Sequence, residues 1–195
     1  MNERKHPKRK RPFQQIAAIA LLGTTAVATT AFASPHFADR IYGSYEELKK
    51  HVITLTIQEY QRIGMKFAGA KRELGDDYPA FEALLKQMVA AKVEYANDHQ
   101  QIDFSALSPE AYLKLKQLYA DIQPYFDRLN HKPIASKVLT NKEYDAYIEA
   151  QLQRETILAK SGANPSAGPM QVKDLPSELQ ADYQKAVQTI REFER

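Results

Sequence analysis

Apolar residues recur at helical spacing through most of the chain beyond residue 44. At Ser44 the run S-Y-E-E puts a hydroxyl where it can accept from the Glu47 amide while Glu47 reaches back, and Leu48, Val52, Leu55, Tyr60 and Ile63 follow. The spacing predicts a long first helix over about 45–73, weakened at Gly64 and Gly69 and stopped at Gly75. Asp77 is then expected to cap a second helix, with Pro79 in its first turn. Phe81, Leu84, Leu85, Met88, Val89 and Val93 form the expected buried face of that helix, which ends near Asn97. Residues 98–107 read as a polar connection with Ile102 and Phe104 plugging into the core.

The second half has sharper punctuation. Ser108-Pro109-Glu110 is an N-cap followed by proline at the first helical position, and Tyr112, Leu115, Tyr119, Ile122, Phe126 and Leu129 alternate at intervals of three and four. Pro124 lies inside that helix and removes an amide, which predicts a kink around residues 120–124. Thr140 and Glu143 make a second capping box, opening a helix that carries Tyr144, Tyr147, Ile148, Leu152 and Leu158 as far as Lys160. Gly162, Pro165, Gly168 and Pro169 turn residues 161–173 into a connector. From Pro176 a last helix presents Leu179, Tyr183, Ala186, Val187, Ile190 and Phe193 and runs to the C-terminus. No strand pattern exceeds four residues, so the expected fold is all-α, about five helices in a single bundle-like domain over residues 38–195.

The start of the chain follows a different logic. Residues 1–12 are basic, residues 13–33 are mostly apolar or small, and the stretch closes on Ala31-Phe32-Ala33. This is the order of an export signal with a cleavage site after Ala33. The same stretch, at about 18–21 residues and 1.5 Å per residue, spans roughly 27–31 Å and could serve as an uncut transmembrane anchor. Thr24, Thr25, Thr29, Thr30 and Gly23 make it only weakly apolar, which favours a signal. Both readings leave the N-terminus inside and the remainder outside, either on a single-pass membrane protein or secreted.

Charge supports that division. The net charge is +3, yet residues 1–12 alone carry +5 from six cations and Glu3, leaving −2 for residues 34–195. The exported part therefore has no basic surplus to attract nucleic acid. The absence of cysteine excludes disulfides, thiolate nucleophiles and cysteine metal sites.

Candidate chemistry is sparse. His36, His51, His99 and His131 are scattered, and His99 with Asp103 has no third ligand nearby, so a solvated turn explains the pair. Asp76-Asp77, Glu46-Glu47 and Glu110 sit where helix N-termini favour negative charge. The eleven tyrosines could line a groove, but Tyr112, Tyr119, Tyr144, Tyr147 and Tyr183 fall on packing stripes. No nucleophile elbow, H-E-x-x-H or phosphate loop occurs. No catalytic, cofactor-binding or metal-binding residue is assigned, and neither enzymatic activity nor a cofactor is expected.

Several segments resemble one family. The runs A-D-R-I-Y-G-S-Y-E-E-L-K-K-H (38–51), I-Q-P-Y-F-D-R-L-N (122–130), V-L-T-N-K-E-Y-D-A-Y-I-E-A (138–150), S-G-A-N-P-S-A-G-P (161–169) and L-P-S-E-L-Q (175–180) resemble the ECF-type sigma factor negative effectors of Gram-positive bacilli. The resemblance implies a cytoplasmic segment that restrains a sigma factor, one transmembrane helix, and a helical outer domain of unknown function acting as a sensor. It carries over no site residue. About 12 residues precede the apolar span here, against the ~20–30 residues a specific interface takes from each side. The expectation is thus a sensor half without the sigma-binding half, tied to the membrane through residues 13–33 unless cleaved after Ala33. Its expected partners are an extracellular ligand, a cell-wall component or a full-length relative, and a sigma factor contact is doubtful. The alternatives are a secreted helical binding protein and a cell-wall-acting enzyme, which needs carboxylates converging from different helices.

Overall fold

The computed structural model describes residues 41, 44–51, 69–97, 99–163 and 170–193. The expected leader over residues 1–33 and the centre of the expected first helix, 52–68, lie outside the described residues.

Helix α1, Tyr45–His51, begins as the capping pattern predicts, with the Glu47 amide donating to Ser44 Oγ at 3.0 Å. Residues 69–74 are helical and stop at Gly75, whose φ of +56° is a conformation that favours glycine. A 3₁₀ turn, Gly75–Asp77, runs directly into α2, Tyr78–Tyr95. This changes the role expected of Asp77. The Tyr78 amide already donates to the Gly75 carbonyl, Asp77 itself has helical backbone angles, and its side chain caps nothing. The carboxylate pairs instead with Arg128.

The buried face of α2 comprises Tyr78, Phe81, Leu85, Met88 and Ala91. Leu84 and Val89 are only partly buried, and Val93, expected inside, is 46% exposed. Its neighbour Lys92 is buried in its place, because a carboxylate on a distant helix receives it. Past α2 the chain reverses through an isolated antiparallel bridge between Ala96 and Ile102, and Ile102 and Phe104 plug the core as expected.

Helix α3, Pro109–Leu129, starts at Ser108, whose hydroxyl accepts from the Ala111 amide at 3.2 Å, and continues through Pro124. Leu115, Leu118, Ile122, Phe126 and Leu129 are buried along it. A single-turn helix, α4 (Ala135–Val138), was not legible in the periodicity; it is fixed by Asp127, whose Oδ2 accepts from the Ala135 amide at 2.8 Å. Helix α5, Asn141–Ser161, opens on the expected capping box. The Glu143 amide donates to Thr140 Oγ1 at 3.3 Å and the Thr140 amide donates to Glu143 Oε2 at 2.8 Å. These bonds hold the Glu143 carboxyl below its ordinary pKa. α5 ends at Gly162 with φ +63°. The last helix is α6, Ser177–Phe193.

The helices pack in sequence order, α2 on α3, α3 on α5 and α5 on α6. Phe81 is the aromatic centre of the main core, with Phe126 edge-on at 5.8 Å. A smaller apolar cluster of Ile157, Leu158, Leu175 and Tyr183 joins the C-terminal end of α5 to α6. There is no strand among the described residues, and the fold is all-α.

Candidate functional site

The most site-like feature of the bundle is a set of charged and polar side chains that meet at Glu155. This residue sits in the middle of α5, in the polar string Gln153-Arg154-Glu155-Thr156, where the sequence alone suggests a solvated face. Its side chain is only 14% exposed, and Lys92 of α2, which pairs with its Oε1, is 3% exposed. The Ile102 amide donates to the same oxygen at 2.9 Å. The Tyr119 hydroxyl of α3 donates to Oε2 at 2.6 Å. Burial first, then the charge and hydrogen bond of Glu155, push the Tyr119 phenol well above its usual pKa. One carboxylate thus joins α2, α3, α5 and the 99–104 segment.

Neighbouring bonds continue the tie. Lys92 Nζ also donates to the Gln100 carbonyl at 2.9 Å, and the Phe104 amide donates to Thr156 Oγ1 at 3.1 Å. The ring of Phe104 stands edge-on to Tyr119 at 5.5 Å. Two charges removed from water carry a large desolvation cost, which these several donors offset. With three donors already on its two oxygens, Glu155 is arranged to hold elements together.

A second polar seam runs between α3 and α5 around Pro124. Proline has no amide, so residue 124 cannot supply the helical bond to the carbonyl of Ala120. The Tyr144 hydroxyl donates to that carbonyl at 2.6 Å. Burial, followed by the charges of Asp127 and Asp121, raises the Tyr144 pKa strongly. Beside it, Gln123 Nε2 donates to Asp127 Oδ1 at 2.7 Å, and Gln151 Nε2 donates to Gln123 Oε1 at 3.1 Å. Among the described residues, no buried side-chain nitrogen or oxygen lacks a hydrogen-bond partner.

Two open clefts lie elsewhere. One, of about 410 Å³, is bordered by Lys71, Tyr78, Glu82 and Lys86. The other, of about 720 Å³, is bordered by Met170, Val172, Tyr183, Val187 and Arg191. Neither is lined by Glu155, Lys92 or Tyr119.

Of the candidate histidines, the structure describes the side chains of His99 and His131. His131 is exposed, 3.8 Å from Glu73, and Asp103 Oδ1 accepts from the Ser105 amide at 3.0 Å and the Ser105 hydroxyl at 2.6 Å. His36 and the side chain of His51 lie outside the described residues. Among the described residues no group of three or more histidines and carboxylates is placed to hold a metal ion. Of the tyrosines assigned to packing, Tyr147 and Tyr183 are buried, while Tyr112, Tyr119 and Tyr144 are half-buried with polar tips in use or near the surface. Sequence reasoning missed Glu155 and Lys92, because no local signal separates a charge that faces water from one that meets a partner on another helix.

No helix among the described residues is long and apolar enough to cross a membrane. No curated protein matches the chain. The family described as Domain of unknown function (DUF3600) matches residues 36–194, nearly the whole of the chain beyond residue 35, and the chain therefore belongs to the DUF3600 family.

Proposed function

We propose that the helical bundle is an extracytoplasmic, sensor-type regulatory domain related to the outer domains of ECF-type sigma factor negative effectors, carried across the membrane by residues 1–33. The observation that carries this reading is the ordered set of segments resembling those regulators, from Ala38 to Gln180. Several of them coincide with positions that set the architecture: Ser44, which caps α1, the Pro124 region of α3, and the Thr140–Glu143 capping box of α5. In this reading the domain acts by binding, and its partner is an extracellular ligand, a cell-wall component or a full-length regulator. The A-x-A ending at Ala33 behind a weakly apolar span favours a second form of the same reading, a secreted helical binding protein.

The test is the intact mass of the protein recovered from membranes and from medium. Loss of residues 1–33 with recovery in the medium supports the secreted form, and the full mass in the membrane fraction supports the anchored form. Full-length protein free in the cytosol overturns both. Deletion of the gene should alter transcripts of a sigma-controlled set, and an unchanged transcript profile under cell-envelope stress counts against a regulatory role.

A further inference from the structure

The segment 99–104 is held closed in an unusual way. Four of its amides are satisfied by side chains rather than by a helix or sheet: His99 and Gln101 by Asn97 Oδ1 at 3.0 and 3.1 Å, Ile102 by Glu155 Oε1 at 2.9 Å, and Phe104 by Thr156 Oγ1 at 3.1 Å. Its Gln100 carbonyl takes Lys92. Gln100 itself stands at φ +60°, a conformation that costs a side-chain-bearing residue energy. Against this strain the segment buries Ile102 completely and Phe104 almost so.

We propose that residues 99–104 are a latch on the bundle, keyed by Glu155, which opens as a unit without unwinding α2, α3 or α5. Three observations favour this segment over other places of local opening. It belongs to no long helix, so it can leave without breaking a helical ladder. Its opening breaks only the Lys92–Gln100 and Ile102–Glu155 bonds, while Lys92 and Glu155 stay paired on their helices and gain access to water, which offsets part of their desolvation. The left-handed strain at Gln100 is released at the same time. Because Glu155 receives Lys92, Tyr119 and the Ile102 amide together, removing its charge weakens all three holds in one step. The surface uncovered includes the flank of Tyr119 on α3 now covered by Phe104. The inference does not depend on the compartment or on the regulatory reading.

The experiment is native-state hydrogen exchange on the full chain, following the amides of Gln101, Ile102 and Phe104 against those of α3 and α5. In the unaltered protein under low denaturant, the three amides are expected to exchange together and at least about tenfold faster than the central amides of α3. Glu155→Gln should widen that ratio by about tenfold more, beyond the fall in α3 protection that loss of the Lys92 pair brings by itself, and Thr156→Val should speed Phe104 most. Exchange of the three amides only through global unfolding, at the same rate as α3, overturns the latch. So does a Glu155→Gln protein in which the three amides lose no more protection than the central amides of α3. The unaltered protein decides the question even where the variant fails to fold.

Discussion

Tyr144→Phe isolates a single hydrogen bond whose need is created by another residue. Pro124 leaves the Ala120 carbonyl without its helical donor, and the Tyr144 hydroxyl supplies one at 2.6 Å. Phenylalanine keeps the ring in place and strands the carbonyl. Leaving such an acceptor unpaired costs about 1–3 kcal/mol when buried, and the half-buried position of Tyr144 puts the expected loss near 1 kcal/mol. At a urea slope of about 2–3 kcal/mol per M, the midpoint followed by circular dichroism should fall by about 0.3–0.5 M. The same substitution made in a Pro124→Ala background should cost no more than about 0.3 kcal/mol, because the restored residue-124 amide can reach the Ala120 carbonyl itself. Equal losses in the two backgrounds would falsify the assignment of Tyr144 as the replacement donor.

Other substitutions probe the remaining ties. Lys92→Met strands the buried Glu155 carboxylate and should cost about 3–5 kcal/mol, with Lys92→Met/Glu155→Gln recovering most of it; a neutral single variant argues that the pair is hydrated in solution. Gly162→Ala places a side chain at φ +63° where a new Cβ meets nothing, so the expected loss of about 1–2 kcal/mol is purely conformational, and an unchanged melting temperature contradicts it. Tyr119 and Tyr144 both have folded pKa values above the ordinary 10, so the stability they contribute is complete below pH 10 and declines as pH rises beyond it. Urea midpoints measured from pH 8 upward should show that decline, and Tyr119→Phe should flatten it; an identical slope in the variant removes Tyr119 as a source.

Helix starts were readable because their signals are local. Ser44, Ser108 and the Thr140–Glu143 pair each satisfy amides within three residues, so a few letters contain both partners. Stripe residues such as Leu115, Ile122 and Phe126 were readable for the same reason, since their spacing alone defines a face. The face of α2 was misjudged at its end because the residue that sets it, Glu155, lies 63 positions away from Lys92. Asp77 has the capping residue type, but the turn before it had already supplied the amide's partner, leaving the carboxylate for Arg128, 51 positions on. The Glu155 cluster was invisible for a related reason: single charges within amphipathic helices look alike whether they face water or one another, and only tertiary contact distinguishes them.

The way α6 is laid down bears on how the molecule can come apart. Tyr183 near its middle belongs to the small apolar cluster with Ile157 and Leu158, whereas Ile190 and Phe193 further along pack against the main core, with Phe193 edge-on to Tyr147 at 6.3 Å. Helix α5 likewise spans both regions. The last helix is therefore a strap across two hydrophobic compartments, and neither compartment can lose it without exposing the other. Melting that begins at either end of α6 should propagate along it, so the C-terminal helix and the smaller cluster share one fate.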